Sequence, residues 1–592
     1  MKRCLLVLVL AVWAKAEPGP CSLIANISSR STVSLDGAWR AIVDPFDNGK
    51  SAGFFRNAKP QNKSDRVEYS FDASPVLNIP GDWNTQREQL MFYEGPVWYR
   101  REFSYRKRAD QRVFLYFGAA NYQTAVYLNG DKLGDHEGGF TAFNFEATSV
   151  LRDGDNFLIV EVSNPRRSDA VPALKYDWWN YGGITGNVSL VEVPTAFVQD
   201  YWVQLARGSQ SEIAGWVQLN GAQSPQQVTL EIPEAHLRET FTTDAAGRAA
   251  FHFPTKLDLW SPEHPKLYEV VITSGADSLR DQIGFRRIEV QGSSILLNGK
   301  PIFLRGISMH EEAPFRDGRA FSLEDAQTLL GWVKDLGCNF VRLAHYPHSE
   351  NEIRLADRIG LLVWSEIPVY WDIDWQNPAT LANAEAQLRD MIARDHNRAA
   401  VVLWSMSNET PVKAERTVFI SQLAKQAREL DSTRLITSAL NHVDNTGPEE
   451  RTISDPLAEV LDVVGLNEYV GWYERKPEDT DKLQWKSKWA RPIIVSEFGG
   501  GAPYGMHGEA DERWTEEYQA NLYEHQLGMV ERIPNLAGLT PWVLMDFRSP
   551  ARMLPGIQDY HNRKGLVSNR GQRKLAFYVL QKHYQKLAES GR

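Results

Sequence analysis

Short stretches of alternating or apolar residues, separated by turn formers, fill the first half of the chain. Between about residues 30 and 195 they cover residues 98–103, 113–117, 125–130 and 156–162, and Asn129-Gly130 is a strong hairpin signal. This spacing predicts a β-sandwich of the jelly-roll type. Residues from about 196 to 290 repeat the pattern with shorter strands and predict a second, immunoglobulin-like sandwich.

From about residue 291 the pattern changes to strands that alternate with helices. Apolar runs with little polar alternation predict strands buried on both faces, at residues 302–306, 340–343, 361–364, 401–404, 435–438, 463–466, 493–495 and 536–539. We predict helices at residues 323–336, 350–359, 380–394 and 414–430. Eight such strands favour a (β/α)8 TIM barrel over an open doubly wound sheet, and no glycine-rich dinucleotide fingerprint follows a strand.

The N-terminus carries the pattern of a signal peptide. Lys2 and Arg3 precede a ten-residue apolar stretch and the sequence Ala14-Lys-Ala16, which predicts cleavage after Ala16 and export to a periplasm, a lysosome or the medium. The predicted plan is therefore a signal peptide at 1–16, a jelly roll at 17–195, an immunoglobulin-like sandwich at 196–290 and a catalytic barrel at 291–592. No later stretch is apolar for 18 residues, so we expect no membrane span.

Composition narrows the class of partner. The net charge is −10, from 75 acidic and 65 basic residues without a basic block, so nucleic acid and anionic membranes are poor candidates. Nineteen Trp and an aromatic content of 11% suit the apolar faces of sugar rings. Only Cys21 and Cys338 remain after the predicted cleavage, and they form neither a disulfide framework nor a metal cluster.

Two glutamates follow buried runs and carry the predicted chemistry. Glu409 ends the run at residues 400–409, and Glu497 ends the run at residues 491–497. A carboxylate just past the C-terminal end of a barrel strand lies at the rim where that fold gathers its reactive groups. Hydrolysis of a glycosidic bond requires two such carboxylates, one as proton donor and one as nucleophile or base.

Other polar and aromatic residues lie at the predicted strand ends and should converge on the same rim: His310, Glu311, Arg342, His345, Tyr346, Trp364, Glu366, Trp404, Asn408, Asn467, Tyr469, Trp472, Tyr473 and Trp542. The spacing of His345, His348 and Glu350 would also suit a metal. We expect no metal and no cofactor, because their position at a strand end explains these residues without one.

Two stretches resemble the signatures of glycoside hydrolase family 2. They are Asn339-Phe-Val-Arg342-Leu-Ala-His345-Tyr346-Pro347, and Asp395-His-Asn-Arg398 followed by Trp404-Ser405 and Asn408-Glu409. The order of jelly roll, immunoglobulin-like sandwich and barrel is also similar to that family. The resemblance implies that Glu409 is the acid/base and that Glu497 is the nucleophile, and it favours a homo-oligomer.

Within the family, the β-glucuronidase branch is the most similar. Residues 177–184, 306–311 and 466–473 resemble its active-site loops, and Asn562-Arg-Lys564 is similar to the Asn-x-Lys pair that grips a uronic acid carboxylate. One departure is Gln558, where well-known glucuronidases have Arg. The resemblance implies that the substrate-binding residues are Asp177, His310, Asn408, Asn467, Tyr469, Tyr473, Trp542, Asn562 and Lys564, with Arg342 and His345 supporting the site.

We therefore predict exo-hydrolysis of a terminal β-D-glucuronide with retention of configuration, through a covalent intermediate on Glu497. The pKa of Glu409 should be raised, while Arg342 keeps Glu497 ionised. A β-galactosidase or β-galacturonidase with the same two glutamates is the nearest alternative. A non-catalytic carbohydrate-binding protein is a remote one.

Overall fold

The computed structural model describes residues 22–65, 68–221 and 225–592. The predicted signal peptide and Cys21 lie outside the described residues. The described chain builds two antiparallel β-sandwiches followed by a closed parallel barrel, which confirms the predicted fold class. None of the described helices is long and apolar enough to cross a membrane.

The first sandwich packs a six-stranded sheet against a four-stranded sheet. The larger sheet has the spatial order Val76–Ile79, Gly37–Val43, Pro96–Tyr105, Gly154–Ser163, Gln123–Leu128 and Asp131–Glu137. The smaller has the order Ser31–Ser34, Val188–Pro194, Gln111–Phe117 and Phe143–Glu146. Inward-facing apolar residues of both sheets form one core, as the period-two pattern of the strands requires.

The second sandwich is smaller and has its own core. A three-stranded sheet contains Phe197–Leu205, Glu212–Asn220 and Arg248–Pro254, and a four-stranded sheet contains Leu237–Thr242, Gln227–Ile232, Tyr268–Ser274 and Asp277–Ile283. Strict alternation of buried and partly exposed residues along Glu212–Asn220 shows a strand with one face in this core. A short meander, Ile288–Gln291, Ser294–Leu297 and Lys300–Pro301, leads into the barrel.

Eight parallel strands close the barrel in chain order: Leu304–Met309, Phe340–Leu343, Leu362–Glu366, Val401–Asn408, Leu435–Leu440, Val464–Asn467, Ile493–Glu497 and Leu536–Leu539. The surrounding helices are Leu323–Asp335, Glu350–Ile359, Pro378–Asp395, Ala414–Leu430, Glu516–Val530 and Leu575–Glu589. Between the fifth and seventh strands, the connections instead contain a small sheet of Val443–Asn445, Glu450–Ile453 and Gln484–Ser487 and two 3-10 turns.

Local signals in the sequence explain where the barrel helices begin and end. Ser322 and Asp325 form a reciprocal capping box at the start of Leu323–Asp335. Gly360 takes a left-handed conformation, with φ of 70°, directly after Glu350–Ile359, and its backbone N–H bonds to Ala356. These signals fix the strand–helix phase that brings all eight C-terminal strand ends to one rim.

A buried ionic cluster fastens the second sandwich to the barrel. Asp281, from the strand Asp277–Ile283, accepts hydrogen bonds from the Tyr201 hydroxyl at 2.6 Å, from Arg354 at 3.0 Å and from Arg398. Burial acts to raise the pKa of Asp281, but the charges of Arg398 and Arg354 outweigh it and the pKa is lowered. The carboxylate therefore stays ionised between two barrel guanidinium groups.

Asp281→Asn should destabilise the protein strongly, because it leaves two largely buried arginines without their shared carboxylate. Breaking a buried pair costs about 3–5 kcal/mol, so the midpoint of thermal unfolding of a chain this long should fall by about 2–4 °C. The matched control is Arg280→Gln, one position away, which removes an exposed pair with Glu269 and should cost less than about 1 kcal/mol. Equal midpoints for the two variants would contradict the role assigned to Asp281.

Candidate active site

A cavity of about 420 Å³ opens at the C-terminal rim of the barrel. Both predicted catalytic glutamates line it, and so does Asp177 from the first sandwich. The lining residues are Asp177, His345, Tyr370, Trp371, Glu409, Asn441, Val443, Asn467, Glu468, Tyr469, Tyr473, Glu474, Glu497, Trp542, Arg552, Asn562 and Lys564. Its size suits one sugar ring with part of a leaving group.

Glu497 ends the seventh barrel strand, and its carboxylate is buried and held from two sides. Arg342 Nη1 donates to Oε1 at 2.8 Å, and the Tyr469 hydroxyl donates to Oε2 at 2.8 Å. Burial raises the pKa of Glu497 to about 7, because it and the charge of Glu409 outweigh the opposing effect of Arg342 and Tyr469. The expectation that Arg342 keeps Glu497 ionised is therefore too strong: Arg342 lowers the pKa, but burial prevails.

Arg342 is the central hydrogen-bond donor of this rim and is fully buried. Besides Glu497, it donates to both carboxylate oxygens of Glu366 at 3.2 Å and to Asn408 Oδ1 at 2.7 Å. Burial acts to raise the pKa of Glu366, but Arg342 and the hydrogen bond to His345 lower it to about 2. Glu366 is thus a permanent carboxylate that fixes Arg342 and His345, and the sequence identified it only as a residue near a strand end.

Glu409 follows the fourth barrel strand in a left-handed turn, with φ of 50°. Trp371 Nε1 donates to Oε2 at 3.0 Å, and Asn467 Nδ2 donates to Oε1 at 3.1 Å. Asn467 also donates to Asn408 Oδ1 at 3.2 Å and accepts from the Ser496 hydroxyl at 2.6 Å. A chain of amides therefore links the orientation of Glu409 to Arg342 and, through it, to Glu497.

A buried ammonium group also lines the cavity. Lys564 is only 4% exposed, and its Nζ donates to the Tyr473 hydroxyl at 2.7 Å. The rings of Tyr469, Trp472 and Tyr473 surround it, with centroids 5.4, 5.8 and 4.8 Å from Nζ. Within the described part of the chain, no carboxylate forms an ion pair with Lys564. Such a group favours an anionic ligand, because a buried charge without a partner is costly.

The first sandwich delivers Asp177 to the barrel rim, where three barrel side chains hold it. The Ser549 hydroxyl donates to Oδ1 at 2.6 Å, and Asn562 Nδ2 donates to Oδ2 at 3.2 Å. Arg552 forms a forked ion pair, with Nε 3.0 and 3.1 Å from the two oxygens and a further hydrogen bond from Nη2. Sequence reasoning missed Arg552, and no motif marks it. It lies in the same loop as Gln558, the position at which the sequence departs from the pattern it otherwise resembles.

Not every predicted site residue reaches the cavity. His310, Arg342 and Asn408 lie behind its wall. His310 Nδ1 bonds to the Tyr346 hydroxyl at 3.1 Å, and its ring packs on Phe547 at 4.1 Å. Burial lowers the pKa of His310 well below its usual range, with a further contribution from neighbouring positive groups. A neutral, buried His310 supports the rim by packing, and its predicted contact with substrate stays a prediction.

His345, His348 and Glu350, whose spacing in the sequence would suit a metal, do not form a cluster in the structure. The structure separates Glu350, which pairs with Arg354, from His348, whose Nδ1 and Nε2 bond to Glu352 at 2.7 Å and to the Ala344 carbonyl at 2.9 Å. The group that does come together is Glu311, His348 and Glu352, all buried. Both ring nitrogens of His348 are engaged, and Glu311 pairs with Arg319. These partners explain the cluster as a network of hydrogen bonds.

Comparisons with known proteins agree with this architecture. The chain matches the profile "Glycosyl hydrolases family 2, TIM barrel domain" over residues 288–589. It matches the sugar binding domain of the same family over residues 33–194, and the profile "Glycosyl hydrolases family 2" over residues 196–286. A β-glucuronidase of Paenibacillus borealis is 26% identical over 95% of this chain and 98% of that protein. One of Rattus norvegicus is 28% identical over 95% and 92%.

Solved structures are similar over nearly the same extent. The Bifidobacterium dentium β-glucuronidase complexed with coumarin-3-O-glucuronide has a TM-score of 0.82 and 26% identity, covering 96% of this chain and 99% of that one. The Ruminococcus gnavus β-glucuronidase in complex with D-glucaro 1,5-lactone has a TM-score of 0.79 and 26% identity, covering 94% and 98%.

The effect of the Lys564 charge on neighbouring groups can be tested without a substrate. Burial acts to raise the pKa of the Tyr473 phenol, but the charges of Lys564 and Arg552 outweigh it and the pKa is lowered. Lys564→Met should therefore raise the pKa of Tyr473 in a titration followed by tyrosine ring-carbon NMR, with Tyr473→Phe to assign the signal. The control Lys482→Met removes an exposed lysine and should change nothing. An unchanged Tyr473 pKa in Lys564→Met would contradict the described electrostatics.

Proposed function

We propose that this chain, which belongs to glycosyl hydrolases family 2 and is a glycosidase acting on O-glycosyl bonds, is an exo-acting retaining β-glucuronidase. It would release terminal β-D-glucuronic acid from glycosides or oligosaccharides. The observation that carries the proposal is the buried Lys564 ammonium, without a carboxylate partner among the described residues, in the same cavity as Glu409 and Glu497. An anionic sugar supplies the missing partner, whereas a neutral sugar does not.

In the proposed reaction, Glu497 attacks the anomeric carbon while Glu409 protonates the departing glycosidic oxygen. The glycosidic C–O bond breaks as the bond to Glu497 Oε forms. Glu409, now a carboxylate, then removes a proton from water, which displaces Glu497 and releases the sugar with retained configuration. A retaining pair stands roughly 5–5.5 Å apart. Glu409 and Glu497 line the same cavity, and the charge of Glu409 raises the pKa of Glu497, which supports their acting as a pair.

The surrounding donors suit these two roles. Glu497 must be a carboxylate to attack, and Arg342 and Tyr469 each stabilise that form with a hydrogen bond. Glu409 receives hydrogen bonds from Trp371 and Asn467, which hold its side chain toward the cavity. Glu497 has a cationic donor, Arg342, whereas both donors to Glu409 are neutral. This difference favours Glu497 as the carboxylate nucleophile and Glu409 as the group that gives up and regains a proton.

Recognition of the uronate would rest on Lys564 and Asn562. Lys564 offers a buried positive charge, and Asn562 offers an amide. Asn562 ends the short strand His561–Asn562, and Lys564 follows it two positions later. The solved relatives with coumarin-3-O-glucuronide and D-glucaro 1,5-lactone support a ligand of this chemistry. A β-galactosidase or β-galacturonidase remains the alternative substrate assignment, and a non-catalytic carbohydrate-binding protein is the remote one.

Two further properties belong to the proposal. The predicted leader implies an exported enzyme, in a periplasm, a lysosome or the medium. The partner is a β-glycoside that contains uronic acid rather than nucleic acid or membrane, and the enzyme would work as a homo-oligomer.

Hydrolysis of matched chromogenic β-D-glucuronide, β-D-galacturonide and β-D-galactoside tests the substrate. We expect activity on the glucuronide, its loss in Glu497→Gln, and a fall of about 30- to 150-fold in kcat/KM for Lys564→Met, because a lost charge-assisted bond costs about 2–3 kcal/mol. Lys482→Met is the control and should match the parent enzyme. Preference for the galactoside, with Lys564→Met unaffected, would replace the proposal by the neutral-sugar alternative.

The pH profile tests the role of Tyr469. Since Glu497 must be ionised to attack, kcat/KM should rise with pH through the pKa of Glu497, near 7 in the free enzyme. Tyr469→Phe removes a donor that favours the carboxylate, so this acid limb should move upward by about one pH unit. The exposed Tyr504 gives the control variant, Tyr504→Phe. A limb that stays in place or moves downward would rule out Tyr469 as a stabiliser of ionised Glu497.

A further inference from the structure

We infer that Arg552 is a specificity-determining residue that, together with Lys564, binds the C6 carboxylate of the uronic acid. The inference rests on the proposed function and adds a second cation to it. This residue does not correspond to the position where well-known glucuronidases place an arginine, which is Gln558 in this chain. The geometry of the cavity gives three independent reasons for the assignment.

The first reason is the position and free capacity of the Arg552 guanidinium group. It lines the cavity beside Asn562 and Lys564 and is held from one side by Asp177. A guanidinium carries five N–H groups in a fixed plane, and the forked pair with Asp177 uses the Nε and Nη2 side. The Arg552 side chain is 23% exposed and lines the cavity, so part of it is accessible to a ligand. Asp177 thus positions the group without saturating it.

The second reason is the convergence of Arg552 and Lys564 on one point. The Tyr473 hydroxyl is 2.7 Å from Lys564 Nζ, and Arg552 also interacts with this hydroxyl. Two cations that meet at a single oxygen create a place where negative charge is favoured. A carboxylate has two oxygens about 2.2 Å apart, so it can engage an ammonium and a guanidinium at such a place together.

The third reason is the placement of Gln558. It does not line the 420 Å³ cavity, but it lines a neighbouring one of about 110 Å³ that shares Tyr473, Arg552, Asn562 and Lys564 with the first. Arg552 therefore lies in the wall between the two cavities, next to the neutral amide that stands where an arginine would otherwise be. Arg513 and Arg563 also line the smaller cavity, but of these three arginines only Arg552 lines both cavities.

Charge balance makes the role specific for acidic sugars. In the free enzyme, Asp177 neutralises Arg552, and Lys564 leaves one positive charge to match one carboxylate. Without the guanidinium, the Asp177 carboxylate would lose its cationic partner, and its negative charge would oppose the attraction of Lys564 for a uronate. Loss of Arg552 should therefore weaken acidic substrates far more than neutral ones.

The test compares p-nitrophenyl β-D-glucuronide with p-nitrophenyl β-D-glucoside, which differ only at C6. For Arg552→Gln, we expect kcat/KM on the glucuronide to fall about 30- to 100-fold, mainly through a higher KM. The glucoside should change by less than about threefold, and Arg552→Lys should recover part of the glucuronide activity. The control Arg112→Gln removes a similar forked Arg–Glu pair away from the cavity and should match the parent enzyme.

Every other outcome contradicts either the proposed function or the role of Arg552. A parent enzyme that does not hydrolyse the glucuronide contradicts the proposed function itself. If the parent enzyme is active but Arg552→Gln keeps its preference for the glucuronide, the inference is wrong. If Arg552→Gln and Asp177→Asn lose both substrates equally, Arg552 merely holds Asp177, and the inference is wrong as well. The midpoint of thermal unfolding, expected to stay within about 3 °C of the parent, identifies a variant that fails to fold.

Discussion

One buried guanidinium group organises the reactive half of this molecule. Arg342 has no exposed surface, and it can be buried only because Glu366, Glu497 and Asn408 accept its hydrogen bonds together. Its charge lowers the pKa of Glu497, the proposed nucleophile, against the opposing effect of burial. Through Asn408 and Asn467 it determines the orientation of Glu409. A substitution at Arg342 would therefore disturb both Glu409 and Glu497.

The second constraint is that the site is completed by more than one domain. The barrel supplies both glutamates, Lys564 and Arg552, but Asp177 comes from the first sandwich and is held by three barrel side chains. The relative position of the domains must be rigid for this contact to persist, and the cluster around Asp281 contributes to that rigidity at another interface. Buried polar networks of this kind specify geometry more than they add stability.

Much of the fold and of the site could be predicted from the sequence, because the barrel strands are continuous apolar runs that end in polar residues. All eight strands lie where the pattern predicts them, and both glutamates line one cavity. The roles of Arg552 and Glu366 could not be predicted from the sequence. Arg552 pairs with a residue 375 positions away and Glu366 with one 24 positions away, and such distant partners leave no local pattern. The pKa of Glu497 was also misjudged, because burial can be weighed against a neighbouring charge only when both are known in three dimensions.

The most direct test of the two-glutamate mechanism is to trap its intermediate. The enzyme should be treated briefly with 2-deoxy-2-fluoro-β-D-glucuronosyl fluoride, and the intact protein and its peptides analysed by mass spectrometry. We expect one fluoro-glucuronosyl group per chain, attached to Glu497, and none in Glu497→Gln. Attachment to Glu409, or turnover with inverted configuration and no adduct, would contradict it.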